Sequence, residues 1–393
     1  MKIQMLTHEF PPFRGGIGTY ASQLAMAAHQ IGHEVTVVAP DCGQDLRRQD
    51  KTTYPFEIER YRASTYNYRK LPGLLWRTWS RSTRPGFDLV HAVDPCYTMA
   101  LAFVGHFKQV DFVATAFGTE ILSLRTSKQA SFLRTGDLFD RASAVYAISE
   151  FTKSLLKRHC PRLEMSRVIV TKLGVDPCWF KSGDDLSATR REYRIPENHK
   201  VILTVARLDE RKGHVTVLKA IAELSDELKT KLTYVIVGSG IDTAYTGKLR
   251  HLAATCGANV LFVANVSDED LRRLYGCADV YCMPGESHAQ KVEGFGLVYL
   301  EAAAQGLPSI GSRIGAVPEV VCHEETGLLI EPGNVTECAQ CLTRLLSNAV
   351  NCRTLGEKAR KWAKSFSWRR CAELTYGTSD SAGRSIRNTS IDQ

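Results

Sequence analysis

The 393-residue chain has no apolar run approaching the ~18 residues that cross a bilayer as a helix, so a helical membrane span is not expected. Its first residues, MKIQMLTHEFPP, carry only a short apolar stretch before His8 and Glu9, and read as a first strand rather than a secretory signal. Twelve cysteines are present, but they are scattered. The one close pair, Cys338 and Cys341, sits in a helical pattern with no second Cys or His pair at zinc-finger spacing, so no metal site is expected and reduced structural thiols are. No short internal repeat appears. The glycine-rich turn FRGGIGTY departs from the G-x-G-x-x-G spacing of dinucleotide sites, which argues against NAD.

What is present is an ordinary soluble composition, 44% hydrophobic and 23% charged, in a chain long enough for two or three domains of ~150 residues. The net charge of +8 is unevenly spread: residues 47–84 hold ten Lys and Arg side chains against Asp50, Glu57 and Glu59. Around Leu71, Leu74, Leu75, Trp76 and Trp79 this segment mixes basic and bulky apolar residues, as membrane-surface helices do. A solvated basic face, or a patch for an anionic acceptor, is the plainer alternative. No nucleic-acid partner is expected.

Strand-like and helix-like patterns alternate through both halves. KIQMLTH, HEVTVVAP, DLVHAV, FVATAF, AVYAIS and RVIVTKL are strand signals of the first half, separated by helices such as SEFTKSLLKRH. After a polar, turn-rich stretch the alternation restarts with VILTVAR, LTYVIVGSG, VLFVAN, DVYCMPG, PSIGS and TGLLI. Alternation of this kind calls for parallel sheets covered by helices. The expected organisation is a Rossmann-like domain over 1–180, a linker over 181–199, a second such domain over 200–365, a final helix over 366–377 and a disordered tail over 378–393.

Three constellations carry chemistry. Gly15, Gly16 and Gly18 follow the first strand and open a helix, and Gly238 to Gly240 close a strand of the second half; such junctions let backbone amides approach phosphate, although glycine turns are often only structural. Arg207 and Lys212, directly after VILTVA, suit a pyrophosphate, the first bidentately and the second as a point charge, where the plainer reading is a solvated loop. In EGFGLVYLE, Glu293 precedes a Gly-Phe-Gly turn and Glu301 follows it. Amides of Phe295, Gly296, Leu297 and Val298 can face a phosphate, Glu301 can accept from ribose hydroxyls and Glu293 from those of a hexose. Two carboxylates also suit acid–base glycoside hydrolysis, and the residues alone leave that open.

In order and spacing, HEFPPFRGGIGTY, AISEFTKSLL, KLGVDPCWF, VARLDERKGH, VIVGSG, VEGFGLVYLEAAAQGLPSIGSRIGAVPEVV and FSWRRCAE together resemble the retaining glycosyltransferases of family 4, over nearly the whole chain. The resemblance implies a GT-B α/β fold, two Rossmann-like domains facing a central cleft. It implies an NDP-sugar co-substrate (UDP or GDP), retention of anomeric configuration, and neither metal nor further cofactor. By the same resemblance Gly16 lies against the donor phosphate, Arg207 and Lys212 neutralise the diphosphate, Glu293 holds the sugar and Glu301 the ribose. Backbone around Val266 meets the base, and the helix after Trp368 crosses back to the N-terminal domain. The acceptor side would use His8, Glu120 and position 117, where the family's usual histidine is replaced by Phe117, a side chain that neither donates a hydrogen bond nor carries a proton. His8 and His288 are candidate substitutes. The expected activity is hexosyl transfer in cell-surface polysaccharide or glycolipid assembly, by a cytoplasmic enzyme peripheral on the inner face of the membrane. The alternatives are a nucleotide-sugar-binding pseudoenzyme or a transferase with a soluble acceptor.

Overall fold

The computed structural model describes residues 1–13, 15–63, 71–82, 84–123, 138–181, 185–240 and 243–378. They form two compact units, one of residues 1–174 together with the segment from Ser367, the other Val175–Phe366. In the first, seven parallel strands run in the order β3-β2-β1-β4-β5-β6-β7: β1 Lys2–Leu6, β2 Glu34–Pro40, β3 Glu57–Tyr61, β4 Leu89–Ala92, β5 Phe112–Ala116, β6 Ala144–Ala147 and β7 Val168–Val170. In the second, six parallel strands run β10-β9-β8-β11-β12-β13: β8 Lys200–Val205, β9 Leu232–Val237, β10 Asn259–Val263, β11 Val280–Met283, β12 Ser309–Ser312 and β13 Gly327–Ile330.

The central strands are buried along nearly their whole length, which is why they read as apolar runs without alternation: a parallel sheet is covered on both faces. Helix starts carry their own signals. Asp94 caps Pro95–Val104 with Pro at the first helical position, Ser149 caps Glu150–His159, and Asn334 caps Val335–Ser347. Each sheet reverses strand order once, at β1/β4 and at β8/β11. Loops leaving the carboxyl ends of those strand pairs diverge to opposite sides and open a crevice, the usual ligand position of a doubly wound sheet.

Three expectations need correction. The stretch 181–199 is not a bare linker: it carries the helix Leu186–Glu192, capped by Asp185 and tied down by Arg190, which donates to the carbonyls of Pro196, His199 and Cys277. With only Thr189 buried among seven residues, that helix has too little apolar periodicity to be read. The chain passes between units at Gly174–Val175, earlier than 180. The basic stretch 47–84 is not one solvated face. Arg60 donates twice to Asp50 at 2.8 Å with both side chains about nine-tenths buried, Arg47 pairs with Asp45, and Arg81 and Arg84 share Glu59. Its residues 64–70 and 83, and 379–393 of the tail, lie outside the described residues.

The helix Trp368–Tyr376, capped by Ser367, packs in the first unit on the helix Gly16–Gln30. Its attachment is polar at the centre. The Tyr376 hydroxyl lies 2.6 Å from His91 Nδ1, His91 Nε2 is 2.8 Å from Thr115 Oγ1, and Tyr20 reaches the same threonine at 2.9 Å. Tyr146 donates to the carbonyl of Thr375. Burial holds His91 neutral, lowering its pKa to about 3.

Because the unfolded chain takes up this proton near pH 6.5 and the folded chain near 3, the contribution of neutral His91 to stability is complete above 6.5 and is lost as pH falls through that window. His91→Asn is expected to flatten the acid limb of a plot of unfolding midpoint against pH. An unchanged acid limb would remove His91 from the account.

Candidate active site

In the second unit the crevice at β8/β11 is built by two loops. Residues 206–213 leave β8 and residues 284–296 leave β11, and the second loop ends at Gly296, the left-handed N-cap of the helix Leu297–Ala304. These loops bring together side chains distant in sequence. Lys212 Nζ lies 2.5 Å from Glu293 Oε2, and Arg211 donates to the carbonyl of Val292 at 3.2 Å with its guanidinium 3.9 Å from the same carboxylate. Burial works against the charge on Glu293, but Lys212, Arg211 and Arg207 together outweigh it and hold the carboxyl below its usual range. Arg207 is exposed at the mouth of the loop. Gly315 packs against the Glu293 main chain: it adopts φ +56°, and a Cβ there would lie 2.4 Å from the Glu293 carbonyl, which accepts from Ala316 N–H at 3.0 Å.

A cavity of about 220 Å³ lies between these loops, lined by Arg211, Glu286, His288, Lys291, Glu293 and Tyr299 among others. Its lining places cations beside carboxylates, a surface fitted to an anion next to a polyhydroxylic group. Glu286 accepts from Thr216 and is thereby fixed, and Tyr299 donates to the carbonyl of Met283 at the end of β11. On the neighbouring helix, Glu301 receives a hydrogen bond at 3.1 Å from the buried Tyr275 hydroxyl. Burial pushes Glu301 up to about 7; Tyr275 opposes the rise and Asp268 adds to it.

Other expected residues are placed differently. Phe295 turns its ring into the core against Phe366, so only its backbone is available to a ligand, and Leu297 and Val298 form the first turn of the following helix. Gly238 is accounted for by chain packing, because a Cβ there would lie 1.9 Å from the Ala206 carbonyl; it lets β9 close against the Arg207 turn. Val266 follows β10, just before Ser267 caps the helix Asp268–Cys277. The Asp268-Glu269-Asp270 triplet has the spacing of a metal motif, yet Asp270 is bound by Arg273 and Ser267. Among the described residues no three His, Cys, Asp or Glu side chains come together as a metal site, no disulfide forms, and no helix is long and apolar enough to cross a membrane.

In the first unit, His8 follows β1 and Asp94 follows β4 at the strand-order reversal. The His8 backbone N–H donates to Asp94, and its Nδ1 lies 3.0 Å from the Tyr61 hydroxyl. Gly15 caps the helix Gly16–Gln30, whose first residue has open space where a Cβ would stand. Glu120, expected on the acceptor side or as a helix cap, makes capping contacts. Its buried carboxylate accepts from the amides of Phe117 and Gly118, since a tight turn with free N–H groups draws in the nearest anion. Phe117 stands edge-on to Tyr20 at 5.2 Å.

Arg211, Tyr275 and Asp268 escaped the sequence reading, as did the cavity-lining Glu286, Lys291 and Tyr299. Arg211 sits in the same charged run as Lys212, and nothing local singles it out. Tyr275 is one apolar-face residue of a helix 26 positions before Glu301.

The family model described as "Glycosyl transferases group 1" matches residues 186–362, and "Glycosyltransferase Family 4" matches 14–178. The chain is 28% identical over 382 residues, 94% of each chain, to the GDP-mannose-dependent alpha-(1-6)-phosphatidylinositol monomannoside mannosyltransferase of Mycobacterium tuberculosis. It is 26% identical over 362 residues, 89% of each, to the N-acetyl-alpha-D-glucosaminyl L-malate synthase of Bacillus anthracis. Among solved structures, Anabaena HepE in complex with UDP and glucose superposes with TM-score 0.77 at 19% identity, over 97% of this chain and all of that one. Sucrose-phosphate synthase from Thermosynechococcus elongatus gives 0.77 at 22% identity, over 95% and 97%. These likenesses establish the GT-B fold.

Glu301 is expected to titrate near pH 7 in the ligand-free protein, and Tyr275→Phe, which removes the hydrogen bond favouring the carboxylate, to move it upward; carboxyl NMR reads both. Lys212→Ala leaves Glu293 buried with weaker compensation and should lower the unfolding midpoint clearly. Arg207→Ala, at an exposed position, should stay within about 0.5 kcal/mol of the parent. Equal losses in a denaturant titration of the two variants would refute that division.

Proposed function

We propose, starting from the fact that this chain belongs to the group 1 glycosyltransferases, that it transfers a hexose with retention from a nucleoside-diphosphate sugar to a hydroxyl of a lipid-linked acceptor. The observation carrying this reading is the meeting of Arg207, Lys212 and Glu293 with the amino end of the helix Leu297–Ala304 at one strand-order reversal. Breaking a sugar–phosphate bond develops positive charge at the anomeric carbon and negative charge on the departing diphosphate. Arg207, Lys212 and the free amides at 297–298 stabilise the second charge. Glu293, held ionised, accepts from sugar hydroxyls and lies near the first. Glu301, oriented by Tyr275, accepts from the ribose.

Retention follows if the acceptor attacks the face the diphosphate leaves, its proton passing to the leaving phosphate oxygen. That route asks for no side-chain nucleophile and accommodates a phenylalanine at 117. Because fixed cations supply the charge the leaving group needs, a chelator should leave turnover unchanged. We assign the base as guanine. Asp268 stands close enough to Glu301 to raise its pKa, and a carboxylate there suits the adjacent N1–H and 2-amino donors of guanine, where uracil offers a single N3–H. The GDP-mannose dependence of the mycobacterial relative supports this base and a mannosyl group, and its phosphatidylinositol-linked acceptor supports a lipid-linked one.

Phe117 favours a second reading, a protein that holds a nucleotide sugar without transferring it. Purified chain that is thermally stabilised by GDP-sugar yet releases no GDP with any lipid acceptor would support that reading.

Arg207→Ala is expected to lower kcat/KM by about 10² or more with the fold intact. Full activity in that variant would end this assignment of roles. Asp268→Asn should shrink the preference for GDP- over UDP-sugars by about 10-fold or more.

A further inference from the structure

The helix Leu71–Arg81 turns Leu74 and Thr78 inward and leaves Trp76 and Trp79, three apart on one face, 74% and 42% exposed. The turn after the helix Pro95–Val104 brings up Phe107, 65% exposed, with its ring centroid 6.5 Å from that of Trp79. The remaining exposed large apolar residues, such as Phe13, Ile169, Leu186 and Val350, lie on other segments. Three aromatic rings on two elements thus form a single apolar patch on the surface of the first unit.

The patch has a cationic rim. Lys108 sits 4.6 Å from the Trp79 ring centroid and donates to that residue's carbonyl. Arg141 is anchored to the same turn as Phe107, through the Gly105 carbonyl and His106. Arg81 and Arg84, at the end of the tryptophan helix, share the carboxylate of Glu59, so the rim's positive charge rests with Lys108 and Arg141.

We propose that this patch docks the first unit on an anionic lipid bilayer, with Trp76, Trp79 and Phe107 entering the interfacial layer and the cationic rim resting on the headgroups. Amphipathic indole rings favour that layer, and basic side chains beside it gain from negative surface potential. A second copy of the chain is a poor occupant, because a twofold contact would press one positive rim on another. The pairing of Arg47, Arg60, Arg81 and Arg84 with carboxylates moves the affinity from the number of basic residues to the aromatic trio. The docking surface is independent of the donor chemistry, since none of its residues belongs to the crevice of the second unit.

The test is co-sedimentation of the full chain with vesicles of phosphatidylcholine containing phosphatidylglycerol, for the parent and for Trp76→Ser/Phe107→Ser. Both positions are exposed, so the unfolding midpoint and the stabilisation by GDP-sugar should be retained. Vesicle affinity should fall about 10-fold or more. The parent should remain bound, more weakly, when salt is raised. No vesicle binding by the parent, undiminished binding by the variant, or a concentration-dependent dimer abolished by the same substitutions would each overturn the proposal. Those outcomes leave the transfer reading intact, because GDP release with a detergent-dispersed acceptor does not need a bilayer. Loss of GDP-sugar binding with docking preserved would sink that reading and not this one.

Discussion

The contact between Lys212 and Glu293 is the constraint around which the second unit's crevice is arranged. A carboxylate carried into a low-polarity position must be paired or neutralised, and here the pairing joins two loops that leave adjacent strands, 81 residues apart in sequence. Arg211 and Arg207 add to the positive field, and Gly315 lets the chain close against the Glu293 main chain. The ionised state of Glu293 is thus a product of strand order. Only because β11 lies beside β8, with β9 on the other side, do these two loops meet.

Glu301 shows the opposite balance. It has one neutral hydroxyl for support and a like charge nearby, so burial dominates and its proton is held to near neutral pH. Two carboxylates eight residues apart therefore differ in charge at mildly acidic pH, one tied to fixed cations and the other free to respond to a ligand. Such a difference suits a site whose acids do different work.

The first unit spends its polar residues on architecture. His91, Thr115, Tyr20 and Tyr376 form a buried network that fastens the last helix, and Glu120 and Asp94 are consumed by turns and caps. Phe117 fits this pattern, since its ring completes an aromatic contact with Tyr20, itself 6.1 Å from Trp368. The basic segment does likewise in part: Arg47, Arg60, Arg81 and Arg84 answer carboxylates, and Trp76 and Trp79 are left exposed.

The chain's own pattern determined the class of fold. Continuous apolar runs alternating with capped helices admit little else than parallel sheets covered on both sides, and glycine at strand-to-helix turns marked where backbone amides would be open. It also supplied Arg207, Lys212, Glu293 and Glu301, because fixed charges after a buried strand or before a helix stand out locally. The tertiary structure alone decided partners. That Lys212 meets Glu293, that Tyr275 meets Glu301, that Arg60 is buried on Asp50 while Trp76 is not buried at all, and that a helix occupies 186–192, depend on contacts between segments far apart or on a helix too short to show a period. Local sequence reports propensity and burial, whereas the charge state and exposure of a side chain depend on which neighbours the strand order brings to it.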